Sequence, residues 1–327
     1  MRAVVITEPG GPDVVVLRDD VPRPVPRAGE LLVRVHATAL NRADLLQRRG
    51  QYPPPPGAPR DIPGLEFAGV IEQVGADVAG WESGERVMGL VGGGGYAEYV
   101  TLPADQALRV PARLSFDQAA AIPEAYLTAH DALFTQAAAR SGENVLVHAI
   151  ASGVGVALLQ LARAFDLHII GTSRSAWKLE RVRTLGLAEA ITLATPDFAD
   201  AVLRATHDRG VDVIIDLVGG DYLRDDIRAL ARRGRLVIVG LVAGRTAQLD
   251  MGAVLSKRLH VIGTAMRSRS AAEKAAVAQF FAQHALPLFE DGRLDPVVDE
   301  VFELADAAAA HRRMEANENV GKIVLRV

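Results

Sequence analysis

The sequence predicts an α/β fold, a doubly wound parallel sheet inserted in a second, mostly β domain. Three observations predict it. Residues 144–174 read as strand, small-residue turn, helix and strand within about 30 residues, the size of one βαβ unit. Strand-like and helix-like segments then alternate as far as residue 264, which calls for crossover connections and a parallel sheet. The stretches on either side carry instead short β-rich runs punctuated by proline and glycine. At 327 residues the chain is long for a single core. The expected division is 1–121 with 265–327 as one domain and 122–264 as the other.

In chain order, 3–7, 14–17 and 31–39 are the first strands, separated by Glu8-Pro9-Gly10-Gly11-Pro12 and by the proline-rich run 21–26. Strands at 68–74, 86–90 and 97–101 follow, with turns at Gly75, Gly80, Ser83-Gly84 and the four glycines 92–95. The set reads as a compact, partly closed barrel. Residues 41–49 form a short helix. Tyr52 precedes four consecutive prolines, which favour polyproline II and exclude a central strand. A stiff loop wall and a stretch read by a proline-binding partner are both open there. From Ser115 the pattern turns helical and alanine-rich, over 116–121 and 125–139, with Pro123 between.

Val145, Leu146 and Val147 are a short apolar run bounded by turn residues, the signature of a buried parallel strand. Ala151-Ser152-Gly153-Val154-Gly155 turns the chain, and Val156, Leu159, Leu161 and Ala162 recur at helical spacing. A helix N-terminus carries unpaired N–H groups and a partial positive charge, so a pyrophosphate can dock over Ser152, Gly153, Val154 and Gly155. The spelling matches the dinucleotide fingerprint G-x-G-x-x-G only in part, because its glycines would fall on Ile150, Ser152 and Gly155. An ordinary strand-to-helix turn is the other reading. In NAD-binding versions an acid stands about 20 residues beyond the turn. Here Thr172-Ser173-Arg174-Ser175 and Lys178 stand there, with no acid. Hydroxyls and cations suit a 2′-phosphate, so Ser173, Arg174, Ser175 and Lys178 favour NADPH over NADH as cofactor. The same two cations also suit the start of a solvated helix.

The strands of this domain are expected at 144–150, 167–172, 190–193, 211–217, 235–240 and 259–264. Helices are expected near 154–165, 176–185, 197–206, 220–232 and 252–257. Ligands bind at the carboxyl edge of such a Rossmann-type sheet, which singles out Val218, Gly219, Gly240 and Leu241. Beyond 265, a helix at 271–285, a strand at 297–302, a helix at 305–317 and a strand at 321–327 take the chain back to its first domain.

Composition narrows the function. The 49% hydrophobic and 23% charged content is ordinary for a globular protein. A net charge of −4 argues against general polyanion binding. Basic pairs such as Arg48-Arg49 and Arg312-Arg313 are dispersed and offset by acids. There is no cysteine, which removes disulfides, thiol catalysis and thiolate metal sites together. A disulfide-free chain suits a reducing compartment, so the expected location is the cytoplasm. The N-terminal strand is too short for a signal sequence, and no apolar run has bilayer-spanning length.

Four segments together resemble a family: Val147-His148-Ala149-Ile150-Ala151-Ser152-Gly153-Val154-Gly155, Asn41-Arg42-Ala43-Asp44, Gly64-Leu65-Glu66-Phe67-Ala68-Gly69 and Gly321-Lys322-Ile323-Val324. They resemble the medium-chain dehydrogenase/reductase superfamily over essentially the whole chain. Within it they are similar to the zinc-free, zeta-crystallin-like quinone oxidoreductases, with the greatest likeness to the p53-inducible quinone oxidoreductase branch. The resemblance implies a GroES-like catalytic domain wrapped around a Rossmann NADP-binding domain, with NADPH in the cleft. It also implies a homodimer paired through an outer sheet edge, for which 259–264 is the candidate. Ile150 departs from the family where a small residue is usual, and Leu193 where many relatives carry a tyrosine beside the 2′-phosphate.

The same resemblance implies that no metal takes part. Where zinc-dependent relatives place a cysteine and a histidine ligand, this chain has Asn41 and Leu65. Catalytic zinc needs three protein ligands, and a lone Glu66 does not supply them. Without a Lewis acid, hydride abstraction from an alcohol has little help. Quinones and activated enones accept hydride more easily, because they spread the resulting charge themselves.

By resemblance, Asn41 and Asp44 line the nicotinamide side and Tyr52 stands as a proton donor. Thr128 touches the carboxamide, Gly240 and Leu241 flank the nicotinamide ribose, and Asn319 closes over the cofactor. Each has an ordinary alternative: a helix N-cap for Asn41, packing on the proline wall for Tyr52, helix packing for Thr128 and a turn for Asn319. His36, His130 and His148 read as core histidines. No residue announces itself as the general acid, and water can supply the proton. The expected function is NADPH-dependent, metal-free reduction of quinones by hydride transfer. A second enzyme reading is enone or enoyl reduction on the same scaffold. A third, from another class, is an NADPH-binding sensor or nucleic-acid-binding protein. The expected partner is a small quinone or enone, with neither nucleic acid nor membrane.

Overall fold

The computed structural model describes residues 1–327. The chain divides into two compact units, Met1–Leu127 with Arg267–Val327, and Thr128–Met266. The first segment carries β1 (Ala3–Ile6), β2 (Val15–Arg18), β3 (Glu30–Ala39), α1 (Arg42–Arg48), β4 (Glu66–Val74), β5 (Arg86–Leu90), β6 (Tyr99–Pro103), β7 (Leu108–Arg109), α2 (Phe116–Ala120) and α3 (Pro123–His130). The second unit carries β8 (Asn144–Val147), α4 (Gly153–Ala164), β9 (His168–Ser173), α5 (Ala176–Arg183), β10 (Glu189–Thr192), α6 (Ala199–Ala205), β11 (Val211–Asp216), α7 (Tyr222–Ala229), β12 (Leu230–Ile238), α8 (Met251–Lys257) and β13 (His260–Gly263). The returning segment carries α9 (Ala271–His284), α10 (Pro287–Glu290), β14 (Val298–Glu303), α11 (Ala307–Glu315) and β15 (Lys322–Arg326).

In the first unit β3 is the spine. It pairs antiparallel with β4, β6 and β15, while β1 and β2 form a separate antiparallel pair. Leu31, Val33 and Val35 of β3 are buried in one cluster with Phe67, Ile71, Val87 and Leu102, and Leu32 between them is buried as well. Register shifts between Leu32 and Val33 and between Val35 and Ala37 bend the strand. The last strand of the chain joins this spine near its end. β15 runs antiparallel to β3 with Val324 opposite Ala39, so Lys322 arrives beside the start of α1.

The second unit is a six-stranded parallel sheet in the order β10-β9-β8-β11-β12-β13. This is the doubly wound order, with its reversal between β8 and β11. Ile170, Leu146, Ile214 and Leu236 face one another across four neighbouring strands and are buried under Phe198, Val202 and Ile227. The intervening Val145, Val147, Val213, Ile215 and Val237 are buried as well, so both faces are dry and the strands read as continuous apolar runs.

Three expectations shift. The boundary expected after residue 121 falls within α3, which runs across it. The first sheet strand ends at Val147 instead of residue 150, because Ala149 turns into the left-handed region at φ 50°. The helix expected over 125–139 ends at His130 and passes into a π-helical turn, Asp131–Gln136. No helix is long and apolar enough to cross a membrane.

Candidate active site

In the second unit, Ser152 caps α4 from an extended conformation, and its Oγ accepts from the Gly155 N–H at 3.1 Å. A Cβ at Gly155 would lie 2.5 Å from the Ile150 carbonyl oxygen and 2.6 Å from that of Ala149. Only glycine lets the helix begin this close to the turn. The N–H groups of Gly153 and Val154 start the helix with no intrahelical acceptor, and both residues are partly exposed. Ile150 is buried, and its side chain packs beneath Gly171 of β9. Its bulk therefore lies against the sheet.

At the end of β9, Ser173 Oγ accepts from the Ser175 N–H at 3.1 Å, which shapes the Ser173-Arg174-Ser175 turn. Arg174 is exposed, Ser173 and Ser175 are partly exposed, and Lys178 is buried with its ammonium 5.5 Å from the Trp177 ring centre. Leu193 is buried in the apolar core. Tyr222 is a residue the sequence reading missed. Its ring meets His148 edge-on at 4.9 Å, and His148 bonds Thr172 at 2.8 Å, one residue before Ser173. Burial raises the Tyr222 phenol, and the Arg174 charge opposes that rise.

Asp216 ends β11, and its carboxylate accepts from the Val218 and Gly219 N–H groups at 2.7 and 2.9 Å. Gly240 packs so closely that a Cβ would lie 2.4 Å from the Leu217 carbonyl oxygen. The Val218-Gly219 and Gly240-Leu241 loops thus sit side by side at the carboxyl edge, joined by the Ala243 N–H to the Val218 carbonyl. Donors without partners, glycines without room for a side chain and an edge beside the strand reversal together suit a dinucleotide. Thr128, the first residue of this unit, is buried within α3.

In the first unit, Asn41 caps α1. Its N–H donates to Asp44 Oδ2 at 2.7 Å, the reverse half of a capping box. Its side-chain amide turns inward. Nδ2 donates to Glu66 Oε1 at 2.8 Å and to the Ala39 carbonyl at 3.3 Å, and Oδ1 accepts from Lys322 Nζ at 2.7 Å. Glu66 Oε2 accepts from the Glu124 N–H at 2.8 Å. Asp44 is fully buried and also accepts from the Gly64 N–H and the Tyr96 hydroxyl, both at 3.2 Å. Burial pushes its carboxyl up to about 6, against the pull of those N–H groups and of Lys322.

Tyr52 is half-buried, with the Arg267 guanidinium 3.7 Å over its ring and Arg267 Nη1 donating to its carbonyl at 3.1 Å. Arg267 Nη2 reaches the Gly92 carbonyl at 3.4 Å. Burial raises the Tyr52 phenol, against the Arg267 charge. Asn319 is buried and donates to the Gly321 carbonyl at 2.9 Å. The structure therefore gathers Asn41 and Asp44 with Glu66, Tyr96 and Lys322, and holds Tyr52 with Arg267. No group of three or more His, Cys, Asp or Glu side chains is arranged to hold a metal ion.

Residues 27–112 match the family described as alcohol dehydrogenase GroES-like domain, and residues 153–283 the family described as zinc-binding dehydrogenase. The quinone oxidoreductase of Rattus norvegicus is 34% identical over 327 residues, covering 99% of this chain and 97% of that protein. The chain belongs to the medium-chain dehydrogenase/reductase superfamily. A mycobacterial protein solved in complex with NADPH superposes with a TM-score of 0.89 at 29% identity, covering 100% of both chains. The CurK enoyl reductase superposes at 0.88 with 27% identity, covering 99% of this chain and 98% of that one. As a medium-chain oxidoreductase, this protein has a nicotinamide-dinucleotide-binding fold. Lys322 and Tyr96 escaped the sequence reading of the site, although Gly321-Lys322 belongs to one of the family-like segments. Nothing local announces that Lys322 meets Glu66.

Proposed function

We propose that this protein is a cytoplasmic, NADPH-dependent quinone reductase that transfers hydride without a metal ion. The observation that carries the reading is the donor set around Asn41: its own amide, the two carboxylates Asp44 and Glu66, and a lysine ammonium, with Leu65 buried and apolar beside Glu66. Zinc asks for three thiolate, imidazole or carboxylate ligands, and this set does not fit it. The zinc in the matched family's description is accordingly not carried over to this chain. The similarity to a quinone oxidoreductase over nearly the full chain supports the substrate class.

Bound NADPH supplies the hydride, from nicotinamide C4. The N–H groups of Gly153, Val154 and Gly155, with the Ser152 cap, hold the pyrophosphate. Ser173, Arg174, Ser175 and Lys178 hold the 2′-phosphate. Val218, Gly219, Gly240 and Leu241 wall the cofactor, with Thr128 and Asn319 as further contacts. Asn41 presents a fixed dipole to the acceptor, and Asp44 fixes Asn41 through its N–H. Tyr52 offers a ring clamped by Arg267. The quinone takes one hydride, and a solvent proton completes the hydroquinone. The oligomer we propose is a homodimer joined along the exposed β13 edge.

The test follows NADPH and NADH absorbance with an ortho-quinone, a para-quinone, an enone and an alcohol, each with and without a zinc chelator. The expected result is quinone turnover at least tenfold faster with NADPH, unaffected by chelator. Alcohol oxidation with NADP⁺, or a tenfold NADH preference, would overturn it. The similarity to the CurK enoyl reductase favours a second reading, which enone turnover exceeding quinone turnover would establish.

A further inference from the structure

Quinone reduction by hydride transfer requires no buried lysine, yet Lys322 is only 6% exposed. Its Nζ has three partners, each at 2.7 Å: the Leu40 carbonyl, Asn41 Oδ1 and Glu66 Oε1. That uses every hydrogen an ammonium has. Glu66 is fully buried and is satisfied in turn by Asn41 Nδ2 and the Glu124 N–H. Taking two charges out of water costs several kcal/mol per ion, and apolar replacement of such pairs is often stabilising. Stability alone is therefore a weak reason for this pair.

Its geometry suggests a stronger one. An asparagine amide between a carboxylate and an ammonium has one favourable orientation. Turned over, it would set its NH₂ against the ammonium and its oxygen against the carboxylate. Lys322 and Glu66 together lock that amide, and Asp44 locks the backbone N–H of the same residue. The cation that meets Asn41 is covalently part of the chain, carried by the first residue of β15.

We propose that Lys322 is a tethered cation in this centre, a positioning residue that neutralises Glu66 and fixes the orientation of the Asn41 amide. It acts through Asn41 and does not touch the substrate. The kinetic arm of the test rests on the proposed function, and the other arms do not.

The experiment compares wild type with Lys322→Met and with the double variant Lys322→Met/Glu66→Gln. The single variant, left with an unpaired buried carboxylate, is expected to melt at a lower temperature. Its kcat for quinone is expected to fall at least tenfold, with the dinucleotide KM moved less than twofold. The double variant removes the stray charge and is expected to regain at least half of the lost melting temperature. Its kcat stays at least tenfold down, because the Asn41 Oδ1 still lacks the ammonium that orients it. Recovery of kcat together with melting temperature would overturn the positioning role. So would a single variant unchanged in both. Should the single variant fail to fold, the double variant decides alone: folded with tenfold lower kcat supports the proposal, folded with wild-type kcat ends it.

If wild type turns over no quinone, the proposed function fails and exchange of the Asn41 side-chain amide hydrogens takes over. At least tenfold faster exchange in both variants supports the locked amide, and unchanged exchange overturns it.

Discussion

Asp226 and His148 meet at 2.8 Å with neither exposed to water, and Asp226 Oδ2 has no partner. Burial pushes the Asp226 carboxyl up to about 6, although the neighbouring His148 pulls it the other way. The ordinary value in the unfolded chain is 3.8. Between those two values the folded protein keeps a proton that the unfolded chain releases. This group therefore adds stability as pH falls from about 6 toward 4 and adds none above that window. Asp226→Asn removes the linkage. The melting temperature of the variant relative to wild type is expected to be highest at pH 7 and to drop as pH falls to 4. A constant difference across that range would place the proton elsewhere. The sequence reads His148 as a core histidine from its apolar strand, and burial bears that out. Its carboxylate partner lies 78 residues away, which no local spacing reveals. Tyr52 poses a simpler question. Its ring is gripped by Arg267, whose guanidinium also donates to the main-chain carbonyl of the same residue. Tyr52→Phe is expected to keep kcat within about threefold, since the stacking surface survives, and Tyr52→Ala to raise the quinone KM severalfold. A tenfold kcat loss in the phenylalanine variant would instead make the hydroxyl a proton donor.

The α4 turn is where an element's geometry becomes chemistry. Ser152→Ala loses one cap bond, worth about 1 kcal/mol, and leaves the backbone N–H groups in place. Its dinucleotide affinity is expected to fall only severalfold. Gly155→Ala is different, because its Cβ would meet two carbonyl oxygens at 2.5 and 2.6 Å and the helix would have to withdraw from the turn. The expected loss of NADPH affinity is at least tenfold, measured by fluorescence titration. Equal affinities for the glycine and alanine proteins would mean that the dinucleotide docks elsewhere. This turn was legible in the sequence, since Val145 to Val147, the small residues and the helical spacing after them lie within one short stretch. The strand's early end at Val147 was not, because it depends on Ala149 adopting a positive φ. Nor was the π-helical turn at Asp131–Gln136, since α and π turns draw on the same residue types. β12 begins at Leu230, earlier than its apolar run at 236–239 suggests. Its first residue pairs with Val211 before an irregularity carries the register past Arg233 at φ 64°.

Across the whole molecule, sequence order and spatial order part company in two places. The first is the return of the chain through β15, which brings Lys322 to residues 40, 41 and 66. The second is the outer edge of the parallel sheet. β13 is hydrogen-bonded to β12 on one side only, and its His-Val-Ile-Gly sequence holds neither the lysine nor the proline that usually blunts such an edge. Beside it in sequence, α8 buries none of its residues, with Met251 71% and Leu255 80% exposed. Val242 is 68% exposed and Val261 41%. Apolar side chains this exposed next to an unpaired strand call for a partner with the same surface. The proposed homodimer would meet that need with closed two-fold symmetry, its two β13 strands paired edge to edge. Light scattering after gel filtration is expected to give twice the mass of one chain. Val261→Lys with Leu255→Glu places charge on both faces of the contact and is expected to give a monomer that still binds NADPH, because the α4 turn lies strands away at β8. A wild-type protein that runs at the mass of one chain at micromolar concentration would remove the dimer. A charged variant that remains at twice that mass would move the contact to another surface.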